Sequence, residues 1–286
     1  MTAYGIHPKA NVGCVCLTVQ DLPRSLAFYT GIIGLRIEQR FASGAHLGAG
    51  GNMLLRLVEN PLAQSAIGTA GLYHFAILVP SRLDLARSLR HLLDTRTPLQ
   101  GFADHLVSEA IYLADPDGNG IEIYRDRPRD RWPRRDGQLL MATDPLDVNS
   151  LLDELNDTSE DWIGLGPGTT IGHIHLRVSD LEEATAYYEH ALGFDLVLRY
   201  GLSAAFLSAG GYHHHIGCNT WSGVGVPPAP ADAVGLRWFS IDLPDAGSYE
   251  ECVQKAKSAP WPTEERDDGL LVRDPSGNGI LLRVRR

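Results

Sequence analysis

Short runs in which apolar and polar residues alternate recur along this chain. VCLTV, ending at Val19, and IHLRV, ending at Val178, have the two-residue period of half-buried strands. Asp-Leu follows each run and is a plausible helix start, and LPRSLAFYTGIIG has helical spacing and ends at a glycine. The strand-like runs AHLGAG and NMLLRLV come next. The pattern predicts a strand, a helix and three further strands, a βαβββ unit.

The unit recurs because the chain repeats itself. Residues 12–35 align with 171–194 without gaps, and 113–124 align with 272–283, both at an offset of 159. Residues 71–80 also match 235–244. The halves that begin at Gly71 and Gly235 repeat the plan of a strand, a helix and further strands, so each copy is itself double. We therefore predict an α+β fold of four βαβββ modules that form two half-barrel-type domains. The modules are one (about 11–58), two (71–126), three (170–221) and four (234–286).

The repeat also predicts the domain boundaries. Modules one and two form a first domain over residues 1–128, and modules three and four form a second over 170–286. Residues 129–169 are interpreted as a charged linker with one short helix in DPLDVNSLLDELN.

Composition narrows the class of protein. The 286 residues carry a formal charge of −10 and no basic footprint for nucleic acid. No apolar run approaches the roughly 20 residues needed to cross a membrane, and no secretory signal is evident. The four cysteines form no Cys-x-x-Cys pair, which favours reduced thiols. We expect a cytoplasmic protein that acts on a small molecule. A homo-oligomer is compatible with the sequence.

Comparison of matched repeat positions indicates where chemistry could reside. Modules two and three carry imidazole, carboxylate and phenol groups where modules one and four carry other residues. The matched pairs are His173 with Cys14, His74 with Trp238, Glu122 with Leu281, Tyr112 with Leu271, and 213–215 with 53–55. We interpret modules two and three as holding an active site. Modules one and four are interpreted as holding a former site whose functional groups have been replaced.

The modular plan resembles the vicinal oxygen chelate superfamily, which includes glyoxalase I, bleomycin-resistance proteins and type I extradiol dioxygenases. GLYHFAIL, DPDGNGIEIY, MATDPLD, IGHIHL and GGYHHHIGCNTW are similar to segments of bacterial catechol 2,3-dioxygenases. The resemblance implies a metal site with ligands on the first and last strands of two modules, here His74, Glu122 and His173. Two histidines and a carboxylate suit Fe(II), with Mn(II) as the alternative, and leave positions open for a diol and O2.

The same resemblance implies the catalytic residues. Tyr112 precedes Glu122 by ten residues, as a tyrosine does in these enzymes, and His105 lies seven residues before Tyr112. His214 fits the catalytic histidine. If its segment is a strand, His213 and His215 point to one face and His214 to the other. His215 is the alternative base and, like His175 beside His173, a candidate substrate-binding residue.

One departure from the family pattern concerns module pairing. Two-domain extradiol enzymes place the site in the second domain, but module four has Trp238 and Leu281 at the ligand positions. We expect modules two and three to pair across the linker, within one chain or between two chains. A glyoxalase-like isomerase and a metal-free binding protein of the bleomycin-resistance type are alternative functions. Asn219 and Trp221 are interpreted as turn and packing residues.

Overall fold

The computed structural model describes residues 4–156 and 162–285. All four predicted modules are present with the order β-α-β-β-β. Module one contains β1 (Asn11–Val19), α1 (Leu22–Gly31), β2 (Arg36–Phe41), β3 (Gly44–Ala49) and β4 (Asn52–Glu59). Module two contains β5 (Gly71–Leu78), α2 (Arg82–Asp94), β6 (Leu99–Asp104), β7 (Ser108–Ala114) and β8 (Gly120–Asp126).

The second half repeats this order after the linker. The linker holds a 3-10 turn (Arg129–Arg131), β9 (Arg134–Arg135), β10 (Gln138–Leu139) and α3 (Val148–Asp153). Module three contains β11 (Thr170–Arg177), α4 (Leu181–His190), β12 (Asp195–Tyr200), β13 (Ala204–Ser208) and β14 (Ile216–Asn219). Module four contains β15 (Gly235–Leu243), α5 (Ala246–Ser258), β16 (Thr263–Arg266), β17 (Gly269–Arg273) and β18 (Gly279–Val284). The prediction of four modules is confirmed, and α3 lies within the interval that the sequence analysis interprets as a linker.

The helix starts follow from side-chain capping. Asp21 and Asp180, the aspartates of the two Asp-Leu signals, each accept a hydrogen bond from the backbone N–H three residues on. Ser81 and Asp245 cap the other two module helices in the same way. A capping carboxylate or hydroxyl satisfies one of the N–H groups that the first helical turn leaves without a partner.

The modules do not pair in sequence order. The first sheet has the strand order β16-β17-β18-β15-β1-β4-β3-β2 and so joins modules one and four. The second sheet has the order β12-β13-β14-β11-β5-β8-β7-β6 and joins modules two and three. The expected pairing of modules two and three is therefore present within a single chain. It differs from the arrangement implied for two-domain extradiol enzymes, in which the site lies within the second domain.

By its internal packing the chain divides into two compact units. One comprises Val19–Pro61 and His74–Ile171, and the other comprises the segment up to Thr18, Leu62–Tyr73 and Gly172–Arg286. These units do not coincide with the two domains that the repeat predicts, and the domain boundaries stay a prediction. In the described part of the chain, no helix is both long and apolar enough to traverse a bilayer.

Each unit contains the same buried tyrosine–aspartate contact, with the two residues 86 positions apart. Tyr29 on α1 donates to Asp115 at 2.8 Å, and Tyr188 on α4 donates to Asp274 at 3.1 Å. Each aspartate begins the turn that leads into the last strand of a module. Burial raises the pKa of Asp115 above its ordinary value, while hydrogen bonds from Asn119 and Tyr29 oppose the rise. This contact, the tyrosine clamp, ties a helix of one module to the turn of the next.

Candidate metal centre

His74 and Glu122 are brought together by the register of two neighbouring parallel strands. In the β5–β8 ladder Ala76 lies opposite Glu122, and His74 is two residues before Ala76 on the same face. His74 Nε2 and Glu122 Oε2 are 3.1 Å apart, and both residues are buried. Burying an imidazole and a carboxylate costs folding free energy unless the two groups hydrogen-bond or coordinate a cation together.

His173, on β11, belongs to the same cluster. Single ligand atoms of His74, Glu122 and His173 all lie within 4.8 Å of one another, and all three residues are buried. Adjacent ligands on one cation, with metal–ligand bonds of about 2.1 Å, lie about 3 Å apart, which matches the spacing of the imidazole and carboxylate. Two imidazoles and one carboxylate also form a donor set typical of non-haem Fe(II). The residues present therefore fit the metal that the sequence predicts.

The phenol of Tyr112 lies beside this cluster. Tyr112 is opposite Glu122 in the β7–β8 ladder, and its ring centre is 5.6 Å from that of His74. It packs against a core of Ala76, Ala110 and Tyr124. Strand pairing and apolar packing thus fix the phenol next to the candidate ligands.

His105 reaches the cluster through Tyr112. It lies in the turn between β6 and β7, where Nε2 is 2.7 Å from the Tyr112 hydroxyl and Nδ1 is 2.6 Å from the Ala142 carbonyl. A carbonyl only accepts hydrogen bonds, so Nδ1 carries a proton. In the neutral ring, Nε2 then accepts a hydrogen bond from the Tyr112 hydroxyl. The linker carbonyl of Ala142 therefore sets the direction of this hydrogen bond. Tyr112, rather than His105, is the member of the pair beside the ligands.

The strand argument for the triplet His213–His215 is wrong. The triplet lies in a bend between β13 and β14, which begins only at Ile216, so the alternation of strand faces does not apply. All three imidazoles are nevertheless buried. Bends place side chains by local backbone geometry, which a two-residue period cannot anticipate.

Within the triplet, His214 lies against the ligand histidine. Its ring centre is 4.1 Å from that of His173 and 4.9 Å from that of Phe206. His213 Nδ1 and His214 Nδ1 are 2.8 Å apart, so one ring donates to the other and the His214 ring is held in place. The role of His213 as the partner of His214 was not predicted. The run of three histidines was the available signal.

His215 and His175 differ in their surroundings. His215 Nδ1 accepts a hydrogen bond from the Ala209 backbone at 3.1 Å, and its ring lies near Tyr212, so it supports the bend. His175 follows His173 on the same face of β11 and contacts the rings of Tyr73 and Trp221. Their predicted roles in substrate binding stay predictions, and the geometry favours His175 over His215.

Sequence comparison assigns the class of protein to which this fold and this cluster belong. Residues 11–123 and 170–282 both match the family model of the Glyoxalase/Bleomycin resistance protein/Dioxygenase superfamily. The chain belongs to this superfamily, and the predicted resemblance is confirmed.

A relative of nearly the same length sharpens the comparison. The chain is 46% identical over 284 residues to a catechol-2,3-dioxygenase of Bacillus subtilis (strain 168), covering 98% of this chain and 99% of the relative. Among solved structures, glyoxalase I from Zea mays superposes with a TM-score of 0.60 at 19% identity, covering 96% of this chain and 92% of that one. The cppA protein from Streptococcus pneumoniae TIGR4 gives a TM-score of 0.55 at 12% identity, covering 96% and 99%. These structural likenesses concern the fold alone.

Proposed function

We propose that this protein is an extradiol ring-cleaving dioxygenase that uses Fe(II) and O2 to open catechol-type diols to muconic semialdehydes. The observation that carries the proposal is the buried cluster of His74, Glu122 and His173 within 4.8 Å. The relative named catechol-2,3-dioxygenase supports the same activity. His74, Glu122 and His173 would hold a ferrous ion, which would supply open coordination positions for the two diol oxygens and O2 and a route for electrons from the ring to O2.

The surrounding residues have distinct roles in this proposal. His214, whose ring lies 4.1 Å from that of His173, would accept a diol proton and later return it as an acid. Its contact with His213 keeps the imidazole oriented during both transfers. Because these histidines are buried, a ring bound beside them would be shielded from water.

Tyr112, whose ring centre lies 5.6 Å from that of His74, would act together with His105. Tyr112 would hydrogen-bond to the opening ring, and His105, hydrogen-bonded to it at 2.7 Å, would hold or return its proton. The Ala142 carbonyl keeps the His105 ring in the tautomer that this exchange needs.

The isomerase alternative receives less support from the cluster. A glyoxalase-like site would be expected to add a further protein ligand to these three residues. In the described ranges 4–156 and 162–285, the group consists of His74, Glu122 and His173 only. Three protein ligands suit a reaction in which diol and O2 both need open positions.

A direct test uses the full chain, purified without oxygen and reconstituted with ferrous iron. Catechol and O2 should then give a yellow product, with one O2 consumed per ring. Glu122→Ala and His74→Ala should lose both bound iron and the yellow colour. A matched control is Leu281→Ala, which changes the residue equivalent to Glu122 in module four. Ring cleavage that persists in Glu122→Ala, or iron content below a tenth of an equivalent in the wild type, would contradict the proposal.

A further inference from the structure

The strand that carries His173 continues as a row of polar side chains. His173, His175 and Arg177 are alternate residues of β11, whose ladder with β14 runs from Ile174 to Arg177 without a bulge. All three side chains therefore project from one face. At about 3.3 Å per residue, the Arg177 Cα lies about 13 Å from that of His173.

Arg177 is a half-buried cation whose side chain contacts an aromatic ring and a backbone carbonyl. Its guanidinium lies 5.3 Å from the centre of the Tyr73 ring and donates to the Leu72 carbonyl. In the ranges 4–156 and 162–285, no carboxylate comes within ion-pair distance of it. Burial lowers the pKa of Arg177 from its ordinary value, and proximity to Tyr73 raises it. A guanidinium in such surroundings normally has an anionic partner.

Aromatic rings line the space next to this cation. Tyr73 meets His175 and Trp221 edge to face, with ring centres 5.1 and 5.0 Å away. Trp221 is 49% exposed, and its backbone N–H is held by the Asn219 side chain at 3.1 Å. Trp221 therefore lies at the solvent side of a wall that continues inward to His175. Asn219 is a strand residue that positions this ring, which extends the turn and packing role predicted for the pair.

We propose that Arg177 binds an anionic side chain of the diol substrate, with Tyr73 and Trp221 packing against its carbon chain. This inference rests on the proposed ring-cleaving function and specifies its substrate class: catechols that bear a carboxylate on a short carbon chain. A carboxylate can take two parallel hydrogen bonds from a guanidinium. The distance of about four strand residues between His173 and Arg177 suits one ring plus a chain of about two or three carbons.

The negative net charge of the protein bears on how Arg177 could select an anionic substrate. With a formal charge of −10, the chain does not attract anionic substrates at long range. Preference for an anionic diol would therefore depend on a local cation, and Arg177 is the one that shares a strand face with the candidate metal ligand His173.

The test compares two diols of matched shape on the iron-loaded enzyme. The probes are 3-(3,4-dihydroxyphenyl)propionate and the neutral 4-propylcatechol. Wild-type kcat/KM should favour the acid, and Arg177→Gln should reduce this preference about 10- to 100-fold, mainly through KM for the acid. Arg177→Lys should restore part of it. Arg199→Gln, which removes an exposed arginine paired with Glu182, is the matched control and should leave the preference unchanged.

Two results would overturn the inference. One is an unchanged acid-to-neutral ratio in Arg177→Gln, and the other is an equal loss with both probes, which would give Arg177 a purely structural role. Binding of the non-cleavable 3-phenylpropionate, measured by calorimetry, separates this inference from the proposed reaction. If the wild type cleaves no diol but binds this acid and Arg177→Gln does not, the reaction fails while the anion site stands.

Discussion

The first and second sheets share one architecture but differ at the three matched positions of the candidate metal ligands. In the second sheet Glu122 lies opposite Ala76, and in the first sheet Leu281 lies opposite Ser240 in the same parallel register. Cys14 and Trp238 likewise take the places of His173 and His74. The first sheet forms the same strand ladders with a thiol, an indole and an alkyl group. The fold therefore does not require the candidate metal ligands, and their presence in the second sheet calls for a functional explanation.

Several polar groups of the first sheet form hydrogen bonds with one another. The Cys14 backbone N–H donates to the Ser240 hydroxyl at 2.9 Å, and Arg283 makes two hydrogen bonds to Asp242, at 2.7 and 3.0 Å. This arrangement pairs the buried charges with each other. The second sheet instead directs a carboxylate and imidazoles toward one point.

The largest effect is expected when Glu122 of the second sheet is replaced by leucine, the residue at the matched position 281 of the first sheet. Glu122→Leu should lower ring cleavage at least about 1000-fold and abolish stoichiometric iron binding, because a carboxylate ligand is lost. The midpoint of thermal unfolding without metal should stay the same or rise, since a buried carboxylate is replaced by an apolar group. Metal analysis, O2 uptake and circular dichroism measure these outcomes. Unfolded protein would mean that the carboxylate is structural.

The reverse exchange should damage the fold instead. Leu281→Glu buries a carboxylate where the matched neighbours are Cys14 and Trp238, and should destabilise the protein by about 3 kcal/mol or more. Chemical denaturation of the metal-free protein measures the change. A gain of a second equivalent of bound iron would show that the first sheet retains a working site.

Removing the hydroxyl next to the ligands should slow the reaction without unfolding the protein. Tyr112→Phe should reduce kcat about 10- to 100-fold with little change in bound iron, because one hydrogen bond to the opening ring is lost. Leu271, the matched residue of module four, offers the control Leu271→Ala, which should change stability but not the iron-loaded rate per folded molecule. Equal kcat in Tyr112→Phe and wild type would remove Tyr112 from the mechanism.

The smallest effect should distinguish the two tyrosine clamps. Tyr29→Phe and Tyr188→Phe should each cost about 1–2 kcal/mol of stability, because each leaves a buried carboxylate with one donor fewer. Only Tyr29→Phe should also weaken iron binding, since the Asp115 turn leads into the strand that carries Glu122. Equal iron affinity in both variants would show that the clamp does not position the ligand.

Much of the fold was predictable because the sequence repeat shows that one structural unit recurs along the chain. An offset of 159 residues indicated the modules. Differences between matched positions, together with the family resemblance, predicted that His74, Glu122 and His173 lie together, and the structure brings them within 4.8 Å of one another. The pairing of module two with module three followed from which modules lack ligands. These inferences depend on residue identity at fixed spacing, which the sequence contains.

Other features depend on contacts between distant residues. Three such features have no local signature: the bend at His213–His215, the hydrogen bond from His105 to the Ala142 carbonyl, and the surroundings of Arg177. An arginine at a strand end is ordinary in sequence, and its environment becomes informative only when its neighbours are known.

The strand order of the first sheet has a consequence for how the protein is made. β1 forms its ladder with β15, so Asn11 finds its partner Asp242 only when more than 200 further residues have been synthesised. During translation the amino-terminal half therefore exposes unpaired strand edges, and contacts of such large sequence separation form slowly. We expect newly made chains to depend on chaperones, and truncation before module four to produce aggregates rather than a folded half.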